Sequence, residues 1–480
     1  MNRRMVFFTL GQLLLIEAAL MVLPAVVSLL YKEHTIFHFL MTIGIAALIG
    51  GVLMLIFRKH SKVIYAREGF AIVSLSWIAL SALGALPFFL SREIPSYVDA
   101  FFETVSGFTT TGASILTNVE ALSHGMLFWR SFTHWIGGMG VLVFFMAILP
   151  GASDRSIHIM RAEVPGPIVG KLVPRAKDTA RVLYLIYIAL TLFEIVFLLC
   201  GKMPFFDSVV HAFGTAGTGG FGIRADSIAS YSPYCQWVIT SFMLLFSLNF
   251  NLYYFILIRR FKVAFKNTEL WVLFGIVVTA ITTIAINIYS IYGNVADSIR
   301  HSAFQVATII STSGFSTVDF DRWPGLSKAI LLVLMFIGGC AGSTAGGLKI
   351  SRIILLFKRC RNELRHMLNP RSVNVVKIDG KQVDSSVLKN ASNYFAIYML
   401  CFAAIFLLLS FEPFSIETNI SATAACFNNV GPGFDAVGPA ANYAGYSPFS
   451  KIVLSFAMLF GRLELFPMIL LFSRGLWRKK

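Results

Sequence analysis

The chain has 480 residues, of which 56% are hydrophobic and only 13% charged, and its formal net charge is +16. Soluble globular domains carry roughly 25% charged residues, so this composition excludes one and indicates a polytopic membrane protein. The 40 basic residues are spread along the chain rather than gathered in one patch, which argues against a nucleic-acid surface.

In chain order, apolar stretches lie at 6–30, 37–57, 70–90, 126–149, 183–200, 236–258, 270–291, 329–357, 394–409 and 452–472. Set against a hydrocarbon layer of roughly 30 Å, they predict ten crossings of an all-α polytopic membrane protein. Segments assigned to alternate sides hold 30 of the 40 basic residues on one face. By the positive-inside rule that face is cytoplasmic and includes both termini. Acidic residues lean to the other side or into the half-helices described below. They are Glu33, Glu93, Asp99, Glu103, Glu120, Asp207, Asp226, Asp297, Asp319, Asp321, Glu412, Glu417 and Asp435. An outer mouth of that sign would concentrate cations, although ordinary solvated loop charges account for most of them singly. The first stretch is long and lacks a small-residue cleavage site, so it is read as a retained anchor. The six cysteines show no metal spacing and are read as packing thiols.

Four short half-apolar runs stop at glycine, at 99–112, 207–220, 301–314 and 418–431, and they align without a gap. Their ends read Thr110-Thr111-Gly112, Thr218-Gly219-Gly220, Thr312-Ser313-Gly314 and Asn429-Val430-Gly431. About ten helical residues cover only about 15 Å, half the membrane. Each run therefore predicts a half-helix that dips in and returns as extended chain, a course tolerated only inside protein or beside a watery cavity. Four such loops around one axis would form a cation filter of backbone carbonyls. The twelve residues just named are the candidate ion-binding set. One segment of this kind would serve equally for close helix packing; four aligned copies favour the filter.

The repeat of span, half-helix, filter and second span gives the expected organisation. Residues 1–68 form two leading transmembrane helices outside the repeat. Pore repeats follow at 69–150, at 151–258 with a preceding cytoplasmic loop, and at 259–358 with an interrupted span. Residues 359–480 hold a cytoplasmic loop and the fourth repeat. One chain then contains one complete pathway.

Within 329–357 the run from 338 to 347 contains five glycines and cannot hold a helix in lipid. Gly338, Gly339, Gly342, Ser343, Thr344, Gly346 and Gly347 are candidates for a blocking loop beneath the filter, the alternative being a kink between packed helices. Lys349 joins them, although it and Arg352 equally suit positive-inside anchors. Arg462 lies in the last span, where a guanidinium is costly unless paired or hydrated. Glu464 stands two residues on and off its helical face.

The segment 101–114, the loop 338–349 and the closing Gly461-Arg462-Leu463-Glu464 resemble the Trk/Ktr/HKT superfamily of potassium transporters, its bacterial TrkH branch above all. The resemblance covers essentially the full length. It implies a pseudo-fourfold pore per subunit, a homodimer in the bacterial cytoplasmic (inner) membrane, and a cytosolic TrkA-type nucleotide-binding ring that controls opening. It further implies that the 338–347 loop blocks the pore and that Arg462 stands under the filter as a positive barrier. Sodium-transporting plant relatives carry serine where this chain has Gly112, so four glycines favour potassium. Potassium ions in the filter are then the cargo, and no covalently bound cofactor is expected.

Three function classes compete. The leading one is potassium uptake through a channel-like pore gated by the cytosolic partner. The second couples potassium to protons or sodium, with Glu17, Glu194 and His134 as loose candidate sites. The third, an intramembrane enzyme, finds no Gly-x-Ser-x-Gly, no His-Glu-x-x-His and no clustered catalytic set, so no catalytic residue is nominated.

Overall fold

The computed structural model describes residues 2–59, 65–140, 176–371 and 375–477. Apart from the antiparallel two-residue strands Lys377–Ile378 and Lys381–Gln382, the described chain is helix and loop. Six helices in it are long and apolar enough to cross a bilayer: Arg3–Leu30, Thr35–Ile56, Arg67–Leu90, Asp178–Cys200, Thr268–Tyr292 and Ser385–Leu409.

The first two form a leading pair. They cross where Gly11 meets Gly50, and a side-chain carbon on either would sit within 2.8 Å of the other's carbonyl oxygen. Small residues at a crossing let backbones approach closely where no hydrophobic force distinguishes helix from lipid. The pair is tied to the rest through Glu33, whose carboxylate accepts the His124 and Gly125 N–H groups at 2.7 and 3.0 Å. A carboxylate there satisfies orphan donors at the start of the helix His124–Gly138.

Four units of one plan follow. Each has a spanning helix, a half-helix, an irregular return and a second helix. The half-helices are Tyr97–Phe108, Phe205–Gly217, Val295–Ile310 and Ile416–Phe427, of 12 to 16 residues. At 1.5 Å per residue they reach about 18–24 Å. Side-chain caps start three of them: Ser96, Asn294 and Ser415 each accept a backbone N–H of the first turn.

The second helices depart from the expected continuous crossings. His124–Gly138, Pro233–Phe246, Gly325–Ile337 and Pro448–Arg462 end after 13 to 15 residues, about two-thirds to three-quarters of a bilayer's hydrocarbon layer. The stretch 236–258 is bent by 90° between Pro233–Phe246 and Phe250–Leu257. The stretch 452–472 breaks after Arg462, where Glu464 and Leu465 both take φ of 60° and Pro467 opens a new short helix. The stretch 329–357 breaks at Gly338, as expected. The far end of 126–149 lies outside the described residues, as does most of the loop expected to be cytoplasmic before the second unit. Hydropathy does not register these breaks, because the residues on both sides are apolar.

Candidate functional site

All four half-helices end in the same way. Thr110, Thr218, Thr312 and Asn429 are left-handed, with φ between 55° and 57°. Each donates its N–H to the carbonyl three residues back, and the next residue donates to the carbonyl five back. This is the Schellman termination, usually built on glycine. Here three of four positions are β-branched threonines, for which the left-handed region costs roughly 1–2 kcal/mol. Two residues on, Gly112, Gly220, Gly314 and Gly431 are again at positive φ, from 76° to 99°, while the residue between is not. This alternating handedness turns successive carbonyls to one side, unlike a β-strand, whose groups alternate.

The four segments meet. A side-chain carbon at Gly112 would strike the Gly219 carbonyl oxygen, and one at Gly220 that of Ser313. At Gly314 it would strike that of Val430, and at Gly431 that of Thr111. The contacts close a cycle through units 1, 2, 3 and 4 and back to 1. All twelve candidate filter residues thus lie in one ring. Thr110, Thr111, Thr218, Thr312, Ser313, Asn429 and Val430 are all at least 99% buried. The glycine side opens into a cavity of about 150 Å³ bordered by Gly112, Gly220, Gly314 and Gly431.

Side chains brace the ring. The Thr109 and Thr111 hydroxyls lie 2.8 Å apart, and those of Ser311 and Ser313, at the matching positions of unit 3, 2.9 Å apart. Asn429 Nδ2 donates to Thr111 Oγ1 and to the Met458 carbonyl, both at 2.9 Å, joining units 4 and 1. Tyr443 donates its hydroxyl to the Gly431 carbonyl at 2.8 Å. His134 joins units 1 and 2. Its Nδ1 lies 2.7 Å from the Gly107 carbonyl, and its Nε2 accepts the Phe221 N–H at 3.3 Å. With one nitrogen donating and the other accepting, the ring is the neutral Nδ1–H tautomer, and it braces the loop rather than standing open to a proton path.

Arg130 and Glu103 form a fully buried ion pair at 2.6 Å. Glu103 also accepts the Ile115 N–H and the Ser114 hydroxyl, each at 3.0 Å, and Arg130 donates to the Gly222 carbonyl at 2.9 Å. The pair therefore fastens the return segments of units 1 and 2. Reading Glu103 only as one of the acids of the outer side or half-helices missed this, although an arginine within an apolar helix signals a functional or structural partner. The acidic mouth expected from the sequence is also revised. Asp99 pairs with Lys451, Asp297 with Arg300, Asp319 with Arg322, and Asp321 and Glu417 with Lys328. The cavity itself is bordered by Arg130 and Arg224, with no carboxylate in its lining. Asp435 stays exposed beside half-helix 4, where hydrogen bonds from Thr418 and Ser415 hold its carboxyl below the ordinary aspartate range.

The 338–349 loop packs against the opposite, helix-end side of the ring. Gly346 donates its N–H to Thr312 Oγ1 at 2.6 Å, and Gly347 to the Asn428 carbonyl at 3.1 Å. Thr344 donates its hydroxyl to the Phe246 carbonyl at 3.1 Å, and Cys340 its N–H to the Ser247 carbonyl at 3.0 Å. The loop folds back so tightly that a side chain at Gly338 would meet the Gly346 carbonyl, while Ser343 closes a turn onto the Cys340 carbonyl and Gly339 accepts the Ile350 N–H. Gly338, Gly342 and Gly347 hold positive φ of 68° to 76°. It is a tightly folded, hydrogen-bonded loop rather than a simple kink between helices.

Arg462 reaches this loop. Its guanidinium donates to the Thr344 carbonyl at 2.8 Å and to the Gly137 and Gly138 carbonyls at 2.6 and 2.5 Å. Glu464 pairs instead with Arg352, whose guanidinium stacks 3.9 Å from the Tyr394 ring centre. Lys349, buried and at φ 75°, donates its ammonium to the Ala345 carbonyl. Neither Lys349 nor Arg352 is a solvated anchor. Glu17 and Glu194, the other two candidates for coupling, are buried in spanning helices outside the ring, Glu194 beside Thr215 of half-helix 2.

Residues 35–479 match the TrkH family of cation transport proteins. The chain is 36% identical to the Trk system potassium uptake protein TrkH of Salmonella typhimurium, with all of both chains covered. It is 34% identical to the Trk system potassium uptake protein TrkG of Escherichia coli over 99% of each. The crystal structure of the potassium transporter TrkH from Vibrio parahaemolyticus matches with a TM-score of 0.89 and 32% identity, covering 100% of each chain. The chain therefore belongs to the TrkH family and is a multi-pass membrane protein of the cation-transport class.

Proposed function

We propose that this chain takes up potassium across the bacterial inner membrane through a channel-like pore whose filter is the ring at 110–112, 218–220, 312–314 and 429–431. The observation that carries the reading is the closed cycle of four segments with the same alternating backbone. Carbonyl oxygens replace the water of a dehydrated cation without a fixed negative charge that would hold it too tightly. The four half-helices aim their carbonyl ends at the ring, where the negative end of each dipole favours a cation. The relatives named as potassium uptake proteins agree with potassium as the cargo.

The loop from Gly338 to Lys349, with Arg462 under it, is the gate. It lies across the helix-end side of the ring and touches the filter through Thr312. In this reading the units divide as residues 1–68, 69–150, 151–258, 259–358 and 359–480. Two chains associate as a homodimer in the bilayer with both termini cytoplasmic, in keeping with the basic bias of that face. A TrkA-type nucleotide-binding ring opens the gate from the cytosol. Coupled transport is the second reading, kept by the buried carboxyls Glu17 and Glu194. Rubidium uptake into proteoliposomes, competed with potassium, sodium and lithium, tests the cargo. A reversal potential that ignores imposed proton and sodium gradients supports the channel, and one that follows either gradient overturns it.

A further inference from the structure

We propose that Glu269 is the latch that holds the 338–349 loop in its blocking position, and that Asp379 on the cytosolic hairpin sets the latch. The inference rests on reading that loop as the gate and adds the residues that position it.

Glu269 is the second residue of the spanning helix Thr268–Tyr292 and is 8% exposed. One carboxylate oxygen, Oε1, accepts two backbone N–H groups, from Ala341 at 2.6 Å and from Ser351 at 3.1 Å. Ala341 lies on the limb of the loop that enters from the helix Gly325–Ile337. Ser351 is the second residue of the helix Ile350–Leu368 that leaves it. A single atom therefore clips the entering limb of the plug to the helix that follows it. Ser351 N–H has no partner within its own helix, being among the first four donors, so the carboxylate satisfies a donor the helix leaves unmet.

The helix end that carries Glu269 is gripped from the cytosolic side. Asp379 Oδ1 accepts both the backbone N–H and the hydroxyl of Thr268, each at 2.7 Å. Asp379 and Gly380 form the tip of the hairpin Lys377–Gln382, with φ of 50° and 77°. This is the two-residue Asp-Gly turn that strand twist prefers. The hairpin is itself fixed, because Lys358 Nζ donates to the Lys377 carbonyl at 2.7 Å and Val376 and Val383 are buried with Leu355 and Ala391. Glu269 adjoins Thr268 in the chain. A displacement of the exposed hairpin therefore acts on the helix end and, one residue later, on the entering limb of the loop and the helix that leaves it.

The test measures basal rubidium efflux from proteoliposomes of the full-length chain without any cytosolic partner. Glu269→Ala is expected to raise it about tenfold or more, the loss of a charge-assisted bond being worth roughly that factor. Glu269→Gln keeps an acceptor oxygen and should restore most of the block. Asp379→Ala should raise efflux by a smaller factor and add little in the Glu269→Ala background, since coupled residues are not additive. As a second readout, Ser343→Cys, with Cys340 and Cys360 replaced, should react faster with a cytosolic thiol reagent when Asp379→Ala is added. That readout serves if Glu269→Ala does not fold. Shortening 339–347 separates the two levels. If shortening raises efflux while neither Glu269→Ala nor Asp379→Ala changes efflux or labelling, the latch is overturned and the gate stands. If shortening leaves efflux unchanged, the gate reading falls and the latch with it. Additive effects of the two substitutions overturn the link between hairpin and latch.

Discussion

Substitution of the four ring glycines should damage ion discrimination in an order set by the distance from the added carbon to the neighbouring carbonyl. A Cβ at Gly220 would lie 1.8 Å from the Ser313 oxygen, and one at Gly112 2.0 Å from that of Gly219. The corresponding distances are 2.3 Å at Gly314 and 2.5 Å at Gly431. Ordinary contact begins near 3.4 Å, so serine forces a shift of about 1.6 Å at Gly220 and about 0.9 Å at Gly431. Working sites hold their groups to within about 0.5 Å. The larger shift is roughly three times that tolerance, and it moves a second ring member as well as the mutated one. Tenfold in discrimination corresponds to only about 1.4 kcal/mol. Gly220→Ser and Gly112→Ser should therefore lower potassium-over-sodium permeability at least tenfold, with Gly314→Ser and Gly431→Ser affected less. Bi-ionic reversal potentials on the purified, reconstituted protein give the ratio. Gly325→Ser, where nothing lies within 4 Å of the added carbon, is the control. Parental ratios in folded Gly220→Ser and Gly112→Ser, or a ranking unrelated to these distances, would refute the carbonyl ring as the discriminating element.

Three further outcomes follow from the other contacts. A positive charge about 4 Å from a cation opposes it by roughly 4 kcal/mol at an effective dielectric of about 20. Arg462→Ala should thus raise potassium flux per folded protein, and Arg462→Lys should keep much of the restriction; lower yield without higher flux would make Arg462 a structural tie alone. Shortening 339–347 should raise partner-free rubidium flux at least tenfold, read by tracer efflux, because the filter remains while the plug is gone. Glu103→Ala, which leaves the Arg130 guanidinium buried without its carboxylate, should destabilise the folded chain by about 3–5 kcal/mol. Thermal unfolding in detergent measures this, and a double replacement with Arg130→Met should cost less than the sum of the single changes.

The repeat was legible because its signal is a coincidence of four glycine-ended runs, which chance does not align. What escaped the sequence has particular physical causes. Threonine at 110, 218 and 312 argues locally against a left-handed residue, and only the Schellman hydrogen bonds and the surrounding packing hold it there. The second helices break at Ser247-Leu248-Asn249 and at Leu463-Glu464-Leu465 without any glycine or proline inside the break. Hydropathy continues across both. Asn249 does carry a cap signal, accepting the Asn251 N–H at 3.0 Å, and it offered the one local hint. Charge partners such as Arg352 with Glu464 lie 112 residues apart, a separation no short motif spans.

A four-unit chain permits what four identical subunits would not. If every unit carried a glycine-rich loop like that of unit 3, four such loops would compete for one axis. In this chain only unit 3 supplies the glycine-rich segment, and the other units supply its sockets. Phe246 and Ser247 of unit 2 accept from it, Asn428 of unit 4 accepts from Gly347, and Arg462 of unit 4 ties Thr344 to Gly137 and Gly138 of unit 1. The ring needs near-equivalence, and its left-handed residues and glycines recur in all four units. The plug needs inequivalence, and it is met by single occurrences: one glycine-rich loop, one arginine at position 462 and one carboxylate at 269. On the proposed reading, selectivity and gating therefore draw on different parts of the sequence, so a ring glycine and a loop contact can be altered separately, the first expected to change which ion passes and the second how often any ion does.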